Sequence, residues 1–334
     1  MEERLVVSAS PHLRASDGIE TVMWNVAAAL VPAAAMGLYF FGLPALKMYL
    51  LGIVTAEATE LACLKMRGKP LRYATDGSAF VTGLLLAMIL PAGAAWYVPV
   101  VGAAFAVAIA KHTFGGLGHN VWNPALAGRV FLQFSYPQQV SLSQWTVPNL
   151  LWGRAPDAAT MATPLAKEVG GAAAARFGYL DLLFGNGVGG SLGETCKIAL
   201  LVGGVYLIAR DIVDWRVPVG YIATVFVLTW LLPVKQGSPA WMGDPVYHVL
   251  AGGLIIGAFF MATDMVTTPV TERGRLIFGI GAGVLVSLIR RYGGYPEGVA
   301  YSIVLMNTVT PLIDRWVQPR VYGSTTAKPA PREG

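Results

Sequence analysis

The chain has 334 residues, of which 55% are apolar and 13% are charged; that charged share is about half that of an ordinary soluble domain. Together with a mean hydropathy of +0.56, this composition excludes a soluble globular protein, because too few polar side chains remain to cover its surface. It predicts a single polytopic membrane domain. The net charge of +5 suits basic cytoplasmic loops, and no charge pattern indicates nucleic-acid binding.

Ten apolar stretches follow in chain order, most of them near the 20 or so residues that a membrane-spanning helix needs. They cover residues 22–42, 44–64, 78–95, 97–112, 124–135, 193–210, 215–233, 246–263, 275–291 and 298–317. The fifth is short, which predicts a half-length or tilted helix. We therefore expect an all-α polytopic membrane protein with about ten transmembrane helices.

The basic residues orient these helices, because cytoplasmic connections carry an excess of lysine and arginine. Such residues precede the first span and follow the second, fourth, sixth and eighth, whereas the alternate connections carry almost none. Both termini are then cytoplasmic, although Arg290 and Arg291 fall on the opposite side. The predicted regions are a cytoplasmic N-terminus (1–21), a five-helix repeat (22–135), an extracytoplasmic loop (136–192), a second five-helix repeat (193–318) and a disordered cytoplasmic tail (319–334).

The two halves resemble each other in pattern. DGSAFVTGLLLAMILP and DPVYHVLAGGLIIGAFF each begin with an acid, and each precedes a span that ends in basic residues and a double glycine. Five spans per half, an odd number, would make the repeats inverted, as in many transporters with a functional site near the midplane. Alternatively, helices of like composition simply resemble one another.

A glycine-rich segment, GGLGHNVWNPALAGRV, leads into the fifth span. Asn123 followed by Pro124 predicts a helix start, with asparagine as the cap and proline at the first position. Irregular backbone at membrane depth occurs where it packs against protein or lines a cavity. The segment is therefore either a packing turn or the wall of a flavin or ion site, with Gly115, Gly116, Asn120 and Asn123 as candidate contacts.

Acidic residues inside membrane spans are costly and usually functional. Glu57 and Glu60 lie within the second span, and neither stands at a helix end, which makes them candidates for a cation or proton path. Asp264 and Asp314 are also candidates, although either could cap a helix at the interface. No resident metal is expected, since His112 and His119 have no third ligand at helical spacing.

The loop DAATMATPLA carries Asp157, Thr160, Ala162 and Thr163. Thr163 before Pro164 could simply begin a short helix. The order of these residues, however, resembles the flavinylation motif D-x-x-[ST]-x-A-T of the membrane flavoprotein subunits of the Rnf complex and of the sodium-pumping NADH:quinone reductase. Met161 stands where that family commonly has glycine. Blocks such as FGGLGHNVWNPALAGRVFLQFSYP and YPEGVAYSIVLMNTVTPLIDRW extend the resemblance along nearly the whole chain, and the short N-terminus is closer to the D-type branch of Rnf.

The resemblance implies FMN joined through its phosphate to Thr163 by a flavin transferase, and a noncovalent riboflavin within the membrane. It implies a subunit of a redox-driven translocase in the bacterial cytoplasmic membrane, which couples ferredoxin:NAD⁺ oxidoreduction to Na⁺ or H⁺ movement. The partners would be the A, B, C, E and G components of Rnf, above all the flavinylated G component. By the same resemblance Glu60, Asp264 and Asp314 belong to the ion path, and no residue here is itself catalytic.

Three other interpretations remain open from the sequence. The chain could be the B component of the sodium-translocating NADH:quinone reductase, which passes electrons to a quinone. It could be a flavin-free channel or secondary transporter, which an inverted repeat would also suit. It could also be a structural anchor for an enzyme complex, although the segment Asp157–Thr163 would then have no purpose.

Overall fold

The computed structural model describes residues 18–142, 165, 178–231, 244–293 and 297–319. Over these residues the chain is helical, without a strand, which confirms the all-α expectation. In chain order the helices are α1 (Ile19–Phe41), α2 (Leu43–Met66), α3 (Ser78–Met88), α4 (Tyr97–Phe105, continued by a π-helical turn Ala106–His112), α5 (Pro124–Ser135), α6 (Tyr179–Phe184), α7 (Lys197–Ala209), α8 (Arg216–Leu231), α9 (Pro245–Leu250), α10 (Leu254–Ile256, continued by a π-helical turn Gly257–Met261), α11 (Glu272–Tyr292) and α12 (Val299–Trp316).

Two of the predicted spans are interrupted. The helix expected over 78–95 ends at Met88, because Pro91 cannot donate to a helical ladder and Gly93 follows closely. The stretch 246–263 is divided into α9 and α10, where Gly252 adopts a left-handed φ of 70° that glycine takes without strain. Both interruptions lie in the interior of the helix assembly.

Glycines allow several helix pairs to approach closely. A Cβ built on Gly52 of α2 would lie 2.8 Å from the carbonyl oxygen of Gly83 in α3, and one built on Gly83 would lie 2.6 Å from that of Gly52. A Cβ built on Gly128 of α5 would likewise lie 2.8 Å from the carbonyl oxygen of Gly102 in α4. Such small-residue contacts are typical of membrane helices, which gain stability from close packing because lipid offers no hydrophobic driving force.

The outward faces of the helices are apolar. Val54 of α2 is 61% exposed and Val205 of α7 is 59% exposed, and such faces would be unfavourable in water. Ile19–Phe41, with a mean hydropathy of 1.5, is the one described helix that passes a test of length and apolarity for a membrane span. Other apolar helices, such as Lys197–Ala209, are 10 to 17 residues long. They are shorter than the roughly 20 residues that cross a membrane, so neighbouring segments must complete the crossing.

The helix connections gather at two ends of the assembly. At one end, here called the basic end, lie the connections 67–77, 112–123, 210–215 and 262–271, which border shared cavities. At the other, here called the loop end, the segment 185–196 packs beneath α3, with Leu192 N–H donating to Leu90 C=O at 3.1 Å. Each end carries a group of buried charged side chains.

Candidate functional site

A wide cavity of about 730 Å³ opens at the basic end. Its walls come from the end of α2, the turn after it and the glycine-rich segment before α5. Gly115 and Gly116 line it with φ values of 133° and 97°, in a region that other residues rarely adopt. The glycines therefore bend the chain around the mouth of the cavity, and both predicted contacts lie in the same cavity as Glu60.

Glu60 is the centre of a buried polar group, which we call the Glu60 cluster: Glu60, Ser78, Lys111 and His112. Lys111 Nζ lies 2.7 Å from Glu60 Oε2 and 2.7 Å from Ser78 Oγ. The Lys111 side chain is 2% exposed and the Glu60 side chain 3%. A full charge pair at this depth is costly to dehydrate and adds little net stability, so its presence points to a functional role.

His112 presents a defined protonation pattern to this cluster. Arg67 Nη1 lies 3.2 Å from His112 Nδ1, and since arginine can only donate, Nδ1 must accept. The proton of a neutral imidazole is then on Nε2, which lies 2.9 Å from Glu60 Oε2, without the alignment of a hydrogen bond. Glu60 is therefore surrounded by donors.

A second, central cavity of about 90 Å³ lies deeper, between α1, α3, α7 and the π-helical turn after α10. Ser78 and Lys111 line it, so the Glu60 cluster stands between the wide and the central cavities. The predicted residues Asn120, Asn123 and Asp264 also line it. The structure thus brings three residues together that are up to 144 positions apart.

Asn123 confirms the predicted helix start. Its Oδ1 accepts from the N–H groups of Ala125 and Leu126 at 3.1 and 3.3 Å, and its Nδ2 donates to the carbonyl of Met261 at 3.2 Å. The cap therefore also fixes α5 to the turn after α10. Asn120 Oδ1, in contrast, is buried without a hydrogen-bond partner among the described residues, and this free acceptor lies in the wall of the central cavity.

The other predicted positions are not brought into these cavities. Asp314 lies near the end of α12, where its Oδ1 accepts from the N–H of Val270 at 3.0 Å. The flavin motif residues Asp157, Thr160, Ala162 and Thr163 lie outside the described residues.

A second polar group, which we call the outer cluster, lies at the loop end: Arg129, Glu194, Lys197, Arg290 and Glu297. Arg129 Nη2 pairs with Glu297 Oε2 at 3.0 Å, and Arg290 donates to the carbonyls of His248 and Ala251 at 2.6 and 3.2 Å. The carboxylate of Glu194 accepts from the N–H of Ser191. The outer cluster thus contains three basic and two acidic side chains, with one ion pair among them.

Several polar atoms of the outer cluster lack partners among the described residues: Arg129 Nη1, Arg290 Nε and Glu297 Oε1. A cavity of about 30 Å³ lies beside Arg129, Glu194 and Glu297, enough for roughly two water molecules. Ordered water there would satisfy the atoms of Arg129 and Glu297, since buried polar groups without partners are rare.

Sequence patterns alone do not identify most of these charged residues as members of a site. In the sequence, Lys111 indicates only the orientation of the fourth predicted span, and Arg129 and Lys197 lie within apolar stretches. The signal that could have found them is the one applied to the acids: a lysine or arginine inside an apolar span must find a partner in the interior.

The fold and the site define a class: an all-helical protein with lipid-compatible faces and charged clusters at both ends of its interior. Comparison with known proteins gives the family. The chain belongs to the NQR2, RnfD, RnfE family, whose profile matches residues 6–323.

Similar proteins cover this chain almost from end to end. The D component of the proton-translocating ferredoxin:NAD⁺ oxidoreductase complex of Clostridium ljungdahlii is 47% identical, over 95% of this chain and 96% of that protein. The D component of the Na⁺-translocating ferredoxin:NAD⁺ oxidoreductase complex of Acetobacterium woodii is 45% identical, over 98% of each. The D component of an ion-translocating oxidoreductase complex of Stutzerimonas stutzeri is 41% identical, over 91% and 92%.

Proposed function

We propose that this chain is the D-type membrane flavoprotein subunit of an ion-translocating ferredoxin:NAD⁺ oxidoreductase complex. The observation that carries the proposal is the 45–47% identity, over nearly full length, to the D components of two such complexes. The quinone-reductase alternative is less favoured, because these relatives are named as components of ferredoxin:NAD⁺ oxidoreductases. The subunit works in the bacterial cytoplasmic membrane with the other Rnf components, above all the flavinylated G component.

The ten-span architecture forms two inverted repeats, α1 to α5 and α7 to α12, with α9 and α10 together counting as one span. The packing supports this pairing. The first elements of each half, α1 and α7, pack together, as do the last, α5 and α12. The third element is interrupted in both halves. The two halves place the central cavity near their interface, where transporters commonly hold their site.

Covalent FMN on Thr163 stands at the loop end, on the extracytoplasmic side, after attachment by a flavin transferase. Leu165, two positions later, packs against Leu182, Val188, Tyr247 and Ala251. Two residues span no more than about 7 Å, so this contact of Leu165 supports an attachment point near the loop end. Leu165 also lies beside Gly252, which in turn neighbours Arg290. A guanidinium in this position favours a nearby phosphate.

The noncovalent riboflavin takes its polar contacts from the central cavity. Asn120 supplies an unpartnered Oδ1 that suits an N–H donor on a flavin ring edge, while the amide of Asn123 holds the neighbouring wall through its cap and its bond to Met261. The cavity is smaller than the usual ligand pocket of a few hundred Å³, so apolar side chains in its wall must move to admit the ring. A bound flavin supplies one- and two-electron redox chemistry, while the protein positions it and sets its electrostatics.

The ion path begins in the wide cavity and passes Glu60 towards Asp264. Glu60 faces the wide cavity and Asp264 the central cavity, which places the two acids in series. Asp314 is the third predicted member, and it holds the 264–271 connection through Val270. Of the relatives named above, one is named as proton-translocating and one as Na⁺-translocating. Similar proteins therefore differ in the ion that they move.

In-gel flavin fluorescence of the denatured chain, expressed with its flavin transferase, tests this function. We expect a fluorescent band in the wild type that disappears in Thr163→Val and persists in Thr146→Val, a control threonine of the same loop outside the motif. A dark wild-type band in the presence of an active transferase would overturn the flavoprotein assignment and favour a transporter without a flavin.

A further inference from the structure

We propose that the Glu60 cluster is a binding site for a monovalent metal cation such as Na⁺, and that the ammonium of Lys111 occupies this site as a tethered, displaceable cation. The inference rests on the proposed function only in assigning ion translocation to this chain. It concerns what Lys111 does, which neither the motif nor the relatives' names address.

The position of Lys111 supports the proposal. The Glu60 cluster separates the wide cavity, which reaches Glu60 and His112, from the central cavity, which reaches Lys111 and Ser78. A cation that crosses between the cavities at this cluster passes the point where Lys111 Nζ lies between Glu60 Oε2 and Ser78 Oγ, at 2.7 Å from each.

The ligands around Lys111 Nζ are those that a hard cation takes. They are a carboxylate oxygen and a hydroxyl oxygen, and hard cations bind oxygen ligands of this kind. Ser78 Oγ in turn donates to Asp76 Oδ1 at 2.5 Å, which orients its lone pairs towards Lys111. His112 and Arg67 add positive charge or donors on the wide-cavity side, so the cluster does not tolerate a second cation while Lys111 remains.

A structural role alone accounts poorly for this pair. Replacing a buried ion pair with apolar residues is often neutral or stabilising, so packing of α2 against α4 does not require it. A tethered ammonium, however, gives the site a definite state: it is occupied and neutralised when no free cation is bound. Displacement by a cation from the wide cavity would leave Lys111 facing the central cavity, on the side of Asp264.

The test measures Na⁺-dependent thermal stabilisation of the purified chain in detergent, with choline chloride holding the ionic strength constant. A tethered group competes at an effective concentration in the millimolar range or above, so Lys111→Met should lower the Na⁺ concentration at half-stabilisation by at least about tenfold. Lys111→Arg, which keeps a tethered cation, should not. The double variant Lys111→Met/Glu60→Gln should lose the Na⁺ response while folding, because it removes both charges together.

The proposal is overturned if Lys111→Met shows the same Na⁺ dependence as the wild type, or if the double variant retains the response. This binding assay requires neither electron transfer nor bound flavin. Its failure would therefore leave the flavin assignment to Thr163 intact, and a dark wild-type gel band would leave a positive Na⁺ result intact.

Discussion

The ion pair between Arg129 and Glu297 gives a sharp prediction for stability. It joins the middle of α5 to the segment that begins α12, with Arg129 Nη2 at 3.0 Å from Glu297 Oε2 and side chains 6% and 14% exposed. Arg129→Met fills a similar volume but removes the cation. Glu297, which already has one unpartnered oxygen, would then be a buried carboxylate without its main partner.

The expected magnitude follows from this burial. Breaking one partner of a buried pair typically costs about 3–5 kcal/mol, whereas replacing both by apolar residues is often neutral. We therefore expect Arg129→Met to lower the free energy of unfolding by about 3 kcal/mol or more, and Arg129→Met/Glu297→Leu to recover most of it. The coupling between the two positions should therefore be at least about 2 kcal/mol.

An exposed pair of nearly the same length provides the matched control. Arg216 Nη2 lies 2.9 Å from Glu272 Oε2, but the Glu272 side chain is 71% exposed, and such pairs contribute at most about 1 kcal/mol. The assay is equilibrium unfolding in mixed SDS–detergent micelles, followed by tryptophan fluorescence. If Arg129→Met cost no more than Glu272→Gln, the argument from burial would be refuted.

Two further predictions concern packing and charge. Gly52→Val should lower the free energy of unfolding by about 1–3 kcal/mol, because a Cβ at this position would lie 2.8 Å from a carbonyl oxygen of α3. Ala62→Val, on the exposed face of α2, is the control. An equal effect of the two substitutions would contradict this prediction. Burial would raise the pKa of Asp214, but the backbone N–H of Arg216 and the guanidinium groups of Arg275 and Arg216 outweigh it and hold the pKa below 3.8. The stabilisation by Asp214 is thus present at neutral pH and lost as the pH falls through the lowered pKa. The thermal-stability gap between wild type and Asp214→Asn should therefore begin to narrow below about pH 4; a gap unchanged at pH 3 would refute this.

The helices could be predicted from the sequence because each is a long apolar run, and local chemistry also identified the Asn123 cap. The interruption after Met88 was missed because residues 89–95 are nearly as apolar as the helix before them. In a membrane protein an apolar segment is one that lies within the bilayer or the protein interior. Its apolar composition does not show whether its backbone is helical or irregular.

The candidate site was predictable only in part, for a physical reason. Glu60 and Asp264 could be selected individually, since a carboxylate in an apolar stretch is conspicuous. The pairing of Glu60 with Lys111 joins residues 51 positions apart, and no local pattern encodes it. The charge signs at Lys111 and Arg129 were visible in the sequence, but their partners became evident only in the packing.

The helix α5 connects the two charged regions of the molecule. Asn123 begins it at the central cavity and Arg129 carries it into the outer cluster, six residues or roughly 9 Å further on. Between them Leu126, Ile256 and Met261 are each 1% exposed, and all three line the small cavity beside Arg129 and Glu297. A bare ion in such surroundings faces a dehydration penalty of many kcal/mol. Among the described residues, the central cavity and this small cavity have no lining residue in common, so the two do not form one continuous cavity. That arrangement suits a translocase, in which an ion crosses only when another event changes the structure, and it argues against a simple channel held open in this state.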